Sequence, residues 1–128
     1  MDYLWTPWRY AYVSTADAPT GCVFCECPGL GDDRKALIVH RARHCYIILN
    51  AFPYTSGHVM IVPHAHLDQL ARLPAEVATE LMGLAQKTEL VLRHVYRPDG
   101  INLGMIIGKA AGAGVAGHLH MHALPRWV

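Results

Sequence analysis

The sequence predicts a small domain that combines several short β-strands with one long α-helix, and three observations lead there. Residues 74–96 repeat apolar side chains at three- and four-residue steps. Short runs rich in strand formers, bounded by Pro and Gly, recur on both sides of that segment. The 128 residues are 52% hydrophobic and 16% charged, too apolar for disorder and about the length of one domain with one core.

Residues 1–21 read as an irregular arm. Trp5, Trp8, Tyr10 and Tyr12 are too many large rings to leave in water, so they are expected to pack on the domain or on a second subunit. "CECPGLGDD" reads as turns, from Pro28, Gly29, Gly31 and two aspartates. "CYIIL", 45–49, is a strand, "AFPYTSG" a turn, and "HVMIVP" a second strand stopped by Pro63. In the helix, Val77, Leu81, Leu84, Val91 and Val95 form the apolar stripe, with Thr88 its weak point. Glu76 and Glu80 come early, and Arg93 and Arg97 late, matching the helix dipole. Pro74 suits the first turn, and Pro98 and Gly100 close the element. This helix is read as scaffold. "INLGMII", 101–107, is a third strand; a loop carrying Gly108, Gly112, Gly114 and Gly117 follows; residues 118–124 alternate as a last strand.

The net charge of +1 provides no broad basic surface for a nucleic acid polymer. No apolar run reaches the ~18 residues of a membrane span. The opening lacks the basic region of a signal peptide, with Asp2 and Arg9 in the wrong places. Cys22, Cys25 and Cys27 crowd together, with Cys45 apart, a spacing that suits metal or thiol chemistry better than a disulfide framework. A cytoplasmic protein is expected.

"GHLHMHAL" is the most informative stretch. Alternation in a strand puts His118, His120 and His122 on one face, roughly 6.5–7 Å apart along the chain, and Leu119, Met121 and Ala123 on the other, beneath the helix. A lone histidine beside a core is usually just hydrogen-bonded; three in register point to a site. The glycine loop upstream can bring backbone N–H groups close to an anion. "GKAAGAG" is not a Walker loop, since its lysine comes first and no Ser or Thr follows. Together they suggest a phosphate held beside an imidazole. A neutral imidazole can attack phosphorus covalently while a neighbouring one serves the leaving group. Cys22 and Cys25 form a C-x₂-C pair, half of a zinc site or a redox dithiol. No βαβ context favours the dithiol. His58, His64, His66 and His118 could each complete a zinc site, and spacing does not choose among them.

"HLHMHAL" matches the histidine-triad signature, His-φ-His-φ-His-φ-φ with φ apolar. "GHVMIVPHAHLDQL" resembles the same family's second landmark, and "LNAFPYTSGH" its ribose-side segment. "LWTPWRYAYV" with "CVFC" resembles the bacterial branch related to diadenosine tetraphosphate phosphorylases. This resemblance implies an α+β fold: an antiparallel sheet of about five strands, one long helix and short helices, with the whole of 1–128 a single domain. It implies a homodimer that transfers or hydrolyses nucleotidyl groups at the α-phosphate of adenylylated nucleotides. Carried over, His120 is the nucleophile, His122 contacts phosphate and leaving group, and His58 is a further active-site histidine. Asn50 stands at the ribose position, and Gly112, Gly114 and Val115 in the phosphate-contacting loop. Structural zinc would sit on Cys22, Cys25, His66 and His118, with Cys27 a possible third thiolate by its position.

The chain departs from the family in three places. Ile106 stands where relatives carry Asn in an Asn-x-Gly, Gly114 where dinucleotide hydrolases often carry Gln, and the chain stops at "PRWV" where phosphorylase relatives continue. A longer natural protein is expected on that last ground. Two further readings accompany the phosphorylase or hydrolase: a nucleoside phosphoramidate hydrolase, and a non-catalytic nucleotide-binding zinc protein, to which Ile106 lends weight.

Overall fold

The computed structural model describes residues 21–51 and 56–128. Except for Gly21, the aromatic arm expected at 1–21 lies outside them. The elements are α1 (Val23–Glu26), α2 (Asp33–Ala36), β1 (Ile38–Arg41), β2 (Cys45–Leu49), β3 (Val59–Pro63), α3 (Ala75–Tyr96), β4 (Gly100–Met105) and β5 (Met121–Arg126). Single 3₁₀ turns lie at Cys27–Gly29, Leu70–Arg72 and Lys109–Ala111. The strands form one antiparallel sheet in the order β1-β2-β3-β5-β4. The α+β architecture implied by the resemblance is the one observed.

Alternation divides the sheet into two faces. Cys45, Ile61 and Met121 pack against Val77, Leu81, Leu84 and Ala85 of α3, and Val59 and Ala123 pack against Leu92. Tyr46, Ile48, Met60 and Val62 face the other way, onto Val23, Phe24, Cys27, Ala36 and Ile38. Each fully buried aliphatic chain contributes about 1.5–3 kcal/mol, so both layers hold the sheet. The Tyr46 hydroxyl donates to the Phe24 carbonyl at 2.6 Å, tying α1 to β2. Arg41 donates to both carboxylate oxygens of Asp33 and to the Pro28 carbonyl, closing the same layer at its rim.

Three boundaries differ from those read in the sequence. The buried stripe of α3 leaves Leu84 through Ala85 and Thr88 to Leu92, while Val91 and Val95 are exposed. At 3.6 residues per turn the stripe drifts, and hydrophobicity does not tell Val91 from Leu92. β4 stops at Met105, leaving Ile106 and Ile107 beyond it. β5 begins at Met121 and runs on through Pro125, so His118 and His120 lead into the strand and only His122 lies within it. β1 is an element the sequence reading did not assign; the β-branched pair Ile38-Val39 was its signal.

Candidate functional site

The histidines gather on the sheet face opposite α3. His122 of β5 pairs across the sheet with Met60 on one side and Gly104 on the other. His58 enters just before β3, set by Gly57 at φ 82°. A Cβ at Gly57 would lie 2.7 Å from the ring of Tyr96, so backbone conformation and space both require glycine there. His58 Nε2 and His122 Nδ1 are 2.9 Å apart and share one proton donor between them. The rings of His120 and His122 meet edge to face at 4.8 Å. His58, His120 and His122 are therefore contiguous.

His120 is buried, and its Nδ1 donates to the His118 carbonyl at 2.9 Å. In the neutral ring this leaves the lone pair on Nε2. Burial pushes His58 down to about 4, with its neighbour His120 a smaller cause. Burial also pushes His122 down to about 4, with His58 second. Both rings are thus neutral at pH 7, the state in which they can pass one proton along their shared contact.

Asn50 is buried at the end of β2, and its backbone N–H donates to the His58 carbonyl at 3.0 Å. That bond holds Asn50 beside His58. In the loop between β4 and β5, Gly108 (φ 87°) and Gly112 (φ 101°) both take positive φ around the 3₁₀ turn, Gly112 in the left-handed helical conformation. The amides of Gly112 and Ala113 donate within that turn, to Lys109 and Gly108. Gly114 is exposed, and Val115 packs against the Phe24 side of the core, closing the loop towards the histidines.

Cys22, Cys25, His66 and His118 form a second cluster, with one donor atom from each lying within 4.8 Å of the others. Nδ1 of His118 is 3.4 Å from Sγ of Cys22 and of Cys25, and 3.3 Å from Nδ1 of His66. Cys25 Sγ to His66 Nδ1 is 3.2 Å. Around tetrahedral zinc, with bonds of about 2.3 Å to sulfur and 2.0–2.1 Å to nitrogen, neighbouring donors lie roughly 3.3–3.8 Å apart. The donor set suits such an ion, and four of its six donor pairs, at 3.2–3.4 Å, lie close to that spacing. His118 Nε2 donates to the Pro63 carbonyl at 2.7 Å, which turns its Nδ1 lone pair towards the cluster. Burial is the main reason that His118 is pushed down to about 4, against the pull of that carbonyl. The ring is thus uncharged at neutral pH, with the proton on Nε2, the state in which Nδ1 could bind a metal. Of the four histidines open to this role by composition, His66 and His118 are in the cluster; His58 lies against His122, and His64 stacks on Tyr46 at 5.3 Å.

The sequence alone assigns no role to Phe24, which stands between Cys22 and Cys25. It is fully buried, and its ring lies 5.6 Å from that of His118 and 4.7 Å from that of His120. Its signal was position: an aromatic between two ligands of a C-x₂-C turn has a fixed place to pack.

A family model described as the HIT domain matches residues 32–127. The chain is 39% identical over 135 residues to the AP-4-A phosphorylase of Mycobacterium tuberculosis, a match spanning 99% of this chain and 69% of that protein. Among solved structures, it resembles a HIT family protein from Bacillus anthracis with a TM-score of 0.75 at 28% identity, over 89% of this chain and 77% of that one. It also resembles a Zn-bound histidine triad family protein from Mycobacterium smegmatis, with a TM-score of 0.73 at 29% identity, over 85% and 77% of the two chains.

Proposed function

This chain belongs to the HIT-domain family, whose chemistry is nucleotidyl transfer and hydrolysis, and from that premise we propose that it cleaves adenylylated nucleotides such as diadenosine tetraphosphate at the α-phosphate. The single observation that carries the reading is the His120 hydrogen bond to the His118 carbonyl, which directs a buried Nε2 lone pair away from the backbone as a nucleophile. Nε2 of His120 attacks the α-phosphorus, and the bond to the leaving oxygen breaks. In this scheme the proton shared at 2.9 Å sits on His58 Nε2, so that His122 carries its own proton on Nε2 and gives it to that oxygen. Water or inorganic phosphate then attacks nucleotidyl-His120, phosphate being the acceptor in the phosphorylase form. Asn50 holds the ribose. Gly112 supplies the loop conformation, and Gly114 and Val115 bring their amides to the phosphates.

Zinc on Cys22, Cys25, His66 and His118 would be structural, fixing the segment that enters β5 and taking no part in the chemical step. The working unit is a homodimer. Leu90, Val91 and Val95 on the outer side of α3 and Leu103 on edge strand β4 are exposed apolar residues that a second copy would cover. A reducing, cytoplasmic setting suits the thiolate cluster, and none of the helices among the described residues is long and apolar enough to cross a membrane.

The test is incubation with diadenosine tetraphosphate, with and without phosphate. ATP plus ADP formed only with phosphate identifies a phosphorylase; AMP plus ATP in its absence identifies a hydrolase. His120→Ala should abolish turnover while nucleotide affinity stays within about an order of magnitude, because the lost interaction belongs to the transition state. Turnover retained in that variant would refute the mechanism.

A further inference from the structure

We propose that Phe24 is a positioning residue for His120, and that the four-residue metal cluster acts on the reactive histidine through it. The inference rests on His120 being the nucleophile, and deepens that reading. Cys22 and Cys25 are one α-helical turn apart on α1 and its cap, and both are cluster members. Holding both sulfurs at one point fixes the turn between them, and Phe24 is carried on that turn. Its ring, 1% exposed, lies against His120 at 4.7 Å with an interplanar angle of 48°. The Phe24 carbonyl accepts from the Tyr46 hydroxyl at 2.6 Å, so the backbone at this residue is held from the sheet side as well.

Several contacts meet on the His120 imidazole. The His118 carbonyl holds Nδ1, the His122 ring lies edge to face at 4.8 Å, and the Phe24 ring, at 4.7 Å, limits tilt of the imidazole plane. The carbonyl alone leaves that tilt soft, because a single hydrogen bond to an sp² oxygen tolerates a broad range of directions. Through-space contact at a buried ring removes the remaining freedom, as close packing does elsewhere in a core. Phe24 touches neither phosphate nor leaving group in this scheme. Its effect is on the fraction of time that Nε2 is aimed for attack, and so on kcat rather than on nucleotide binding.

The experiment compares the zinc-loaded wild type with zinc-loaded Phe24→Leu, measuring metal content, kcat, KM and the ¹⁵N spectrum of the His120 ring at one neutral pH. Phe24→Leu is expected to keep its metal, to lose about ten- to a hundredfold in kcat with KM within about twofold, and to show a mixture of His120 tautomers where the wild type shows Nδ1–H alone. A folded, metal-bound variant with unchanged kcat and an unchanged His120 spectrum overturns the proposal. Where Phe24→Leu does not fold, metal-free wild type decides. Loss of the Phe24–His120 ring contact and of the single tautomer, with the Leu81–Met121 side of the core unchanged, supports the coupling; a His120 ring indifferent to the metal overturns it. Should the wild type turn over no nucleotide, the proposed reaction fails on its own, while the His120 spectrum still tests whether Phe24 and the cluster hold the ring.

Discussion

Replacing Ile106 with Asn should raise kcat/KM for a dinucleotide substrate at little cost in stability. In β4, Met105 pairs with Met121 and packs against the α3 side of the core, while Gly104 pairs with His122 on the histidine face. Alternation carries Ile106, one residue past the strand, to the face of Gly104, and the residue is only half-buried. An amide there would stand near the loop that begins at Gly108 and could donate to a phosphate oxygen or steady the loop backbone. One active-site donor is worth about ten- to a thousandfold, or roughly 1.4–4 kcal/mol of transition-state stabilisation. The loss in packing is that of a half-buried Ile, about 1 kcal/mol, since full burial is worth about 1.5–3. A core position would instead bury an unpaired amide, at about 1–3 kcal/mol on top of the packing loss. Steady-state kinetics and thermal midpoint on the one variant separate these cases. A lower midpoint with no gain in rate would refute the reasoning and return Ile106 to a packing role.

Three further outcomes follow from the geometry. Purified protein never exposed to acid or chelator should hold about one zinc per chain, and the double variant Cys22→Ser, Cys25→Ser should hold none; zinc retained by that variant on elemental analysis would remove the cluster as the site. Acid should destabilise the fold through His58 and His122, each lowered from 6.5 to about 4. The unfolded chain binds more protons in that window, so stability is full above pH 6.5, falls as pH drops towards 4, and levels off below. At about 1.4 kcal/mol per pH unit, discounted for coupling between the rings and for partial solvent contact, the pair loses roughly 2 kcal/mol. Denaturation midpoints in His58→Phe that keep the full wild-type slope across that window would count against this source. Finally, Thr88 is buried in α3 and, among the described residues, its Oγ1 has no hydrogen-bond partner. Thr88→Val should stabilise by about 1 kcal/mol and raise the midpoint by roughly 3–5 °C; a lower midpoint in calorimetry would show that the hydroxyl is satisfied.

Much of the fold was legible because its signals are local. β2 was read at 45–49 and observed there, and α3 was read at 74–96 and observed at Ala75–Tyr96 with Pro74 as its cap. Both carry period and punctuation in adjacent residues. The separation of His118, His120 and His122 from Met121 and Ala123 was equally local, since alternate residues of an extended chain take opposite faces whether or not a ladder bond forms there. For His122, Met121 and Ala123 that reading held, while His118 lies in a bend ahead of β5, which begins at Met121. The helix stripe failed past Thr88 for the converse reason: Val91 and Leu92 are equally apolar, and only the packing of Leu92 on Val59 and Ala123 decides which is covered.

What the sequence by itself determined was therefore the kind of chemistry present: a C-x₂-C pair, an alternating row of imidazoles, a glycine loop before it, and elements able to carry them. The tertiary structure decided the pairings. His66 rather than His64 or His58 reaches the cysteines, His58 meets His122 across 64 positions of sequence, and Phe24 meets His120 across 96. Contacts so distant in the chain have no period or spacing to betray them. They exist because β3 and β5 are neighbours in the sheet and α1 closes over one face of it. That order is set by the burial of two apolar layers at once, and no local segment specifies it.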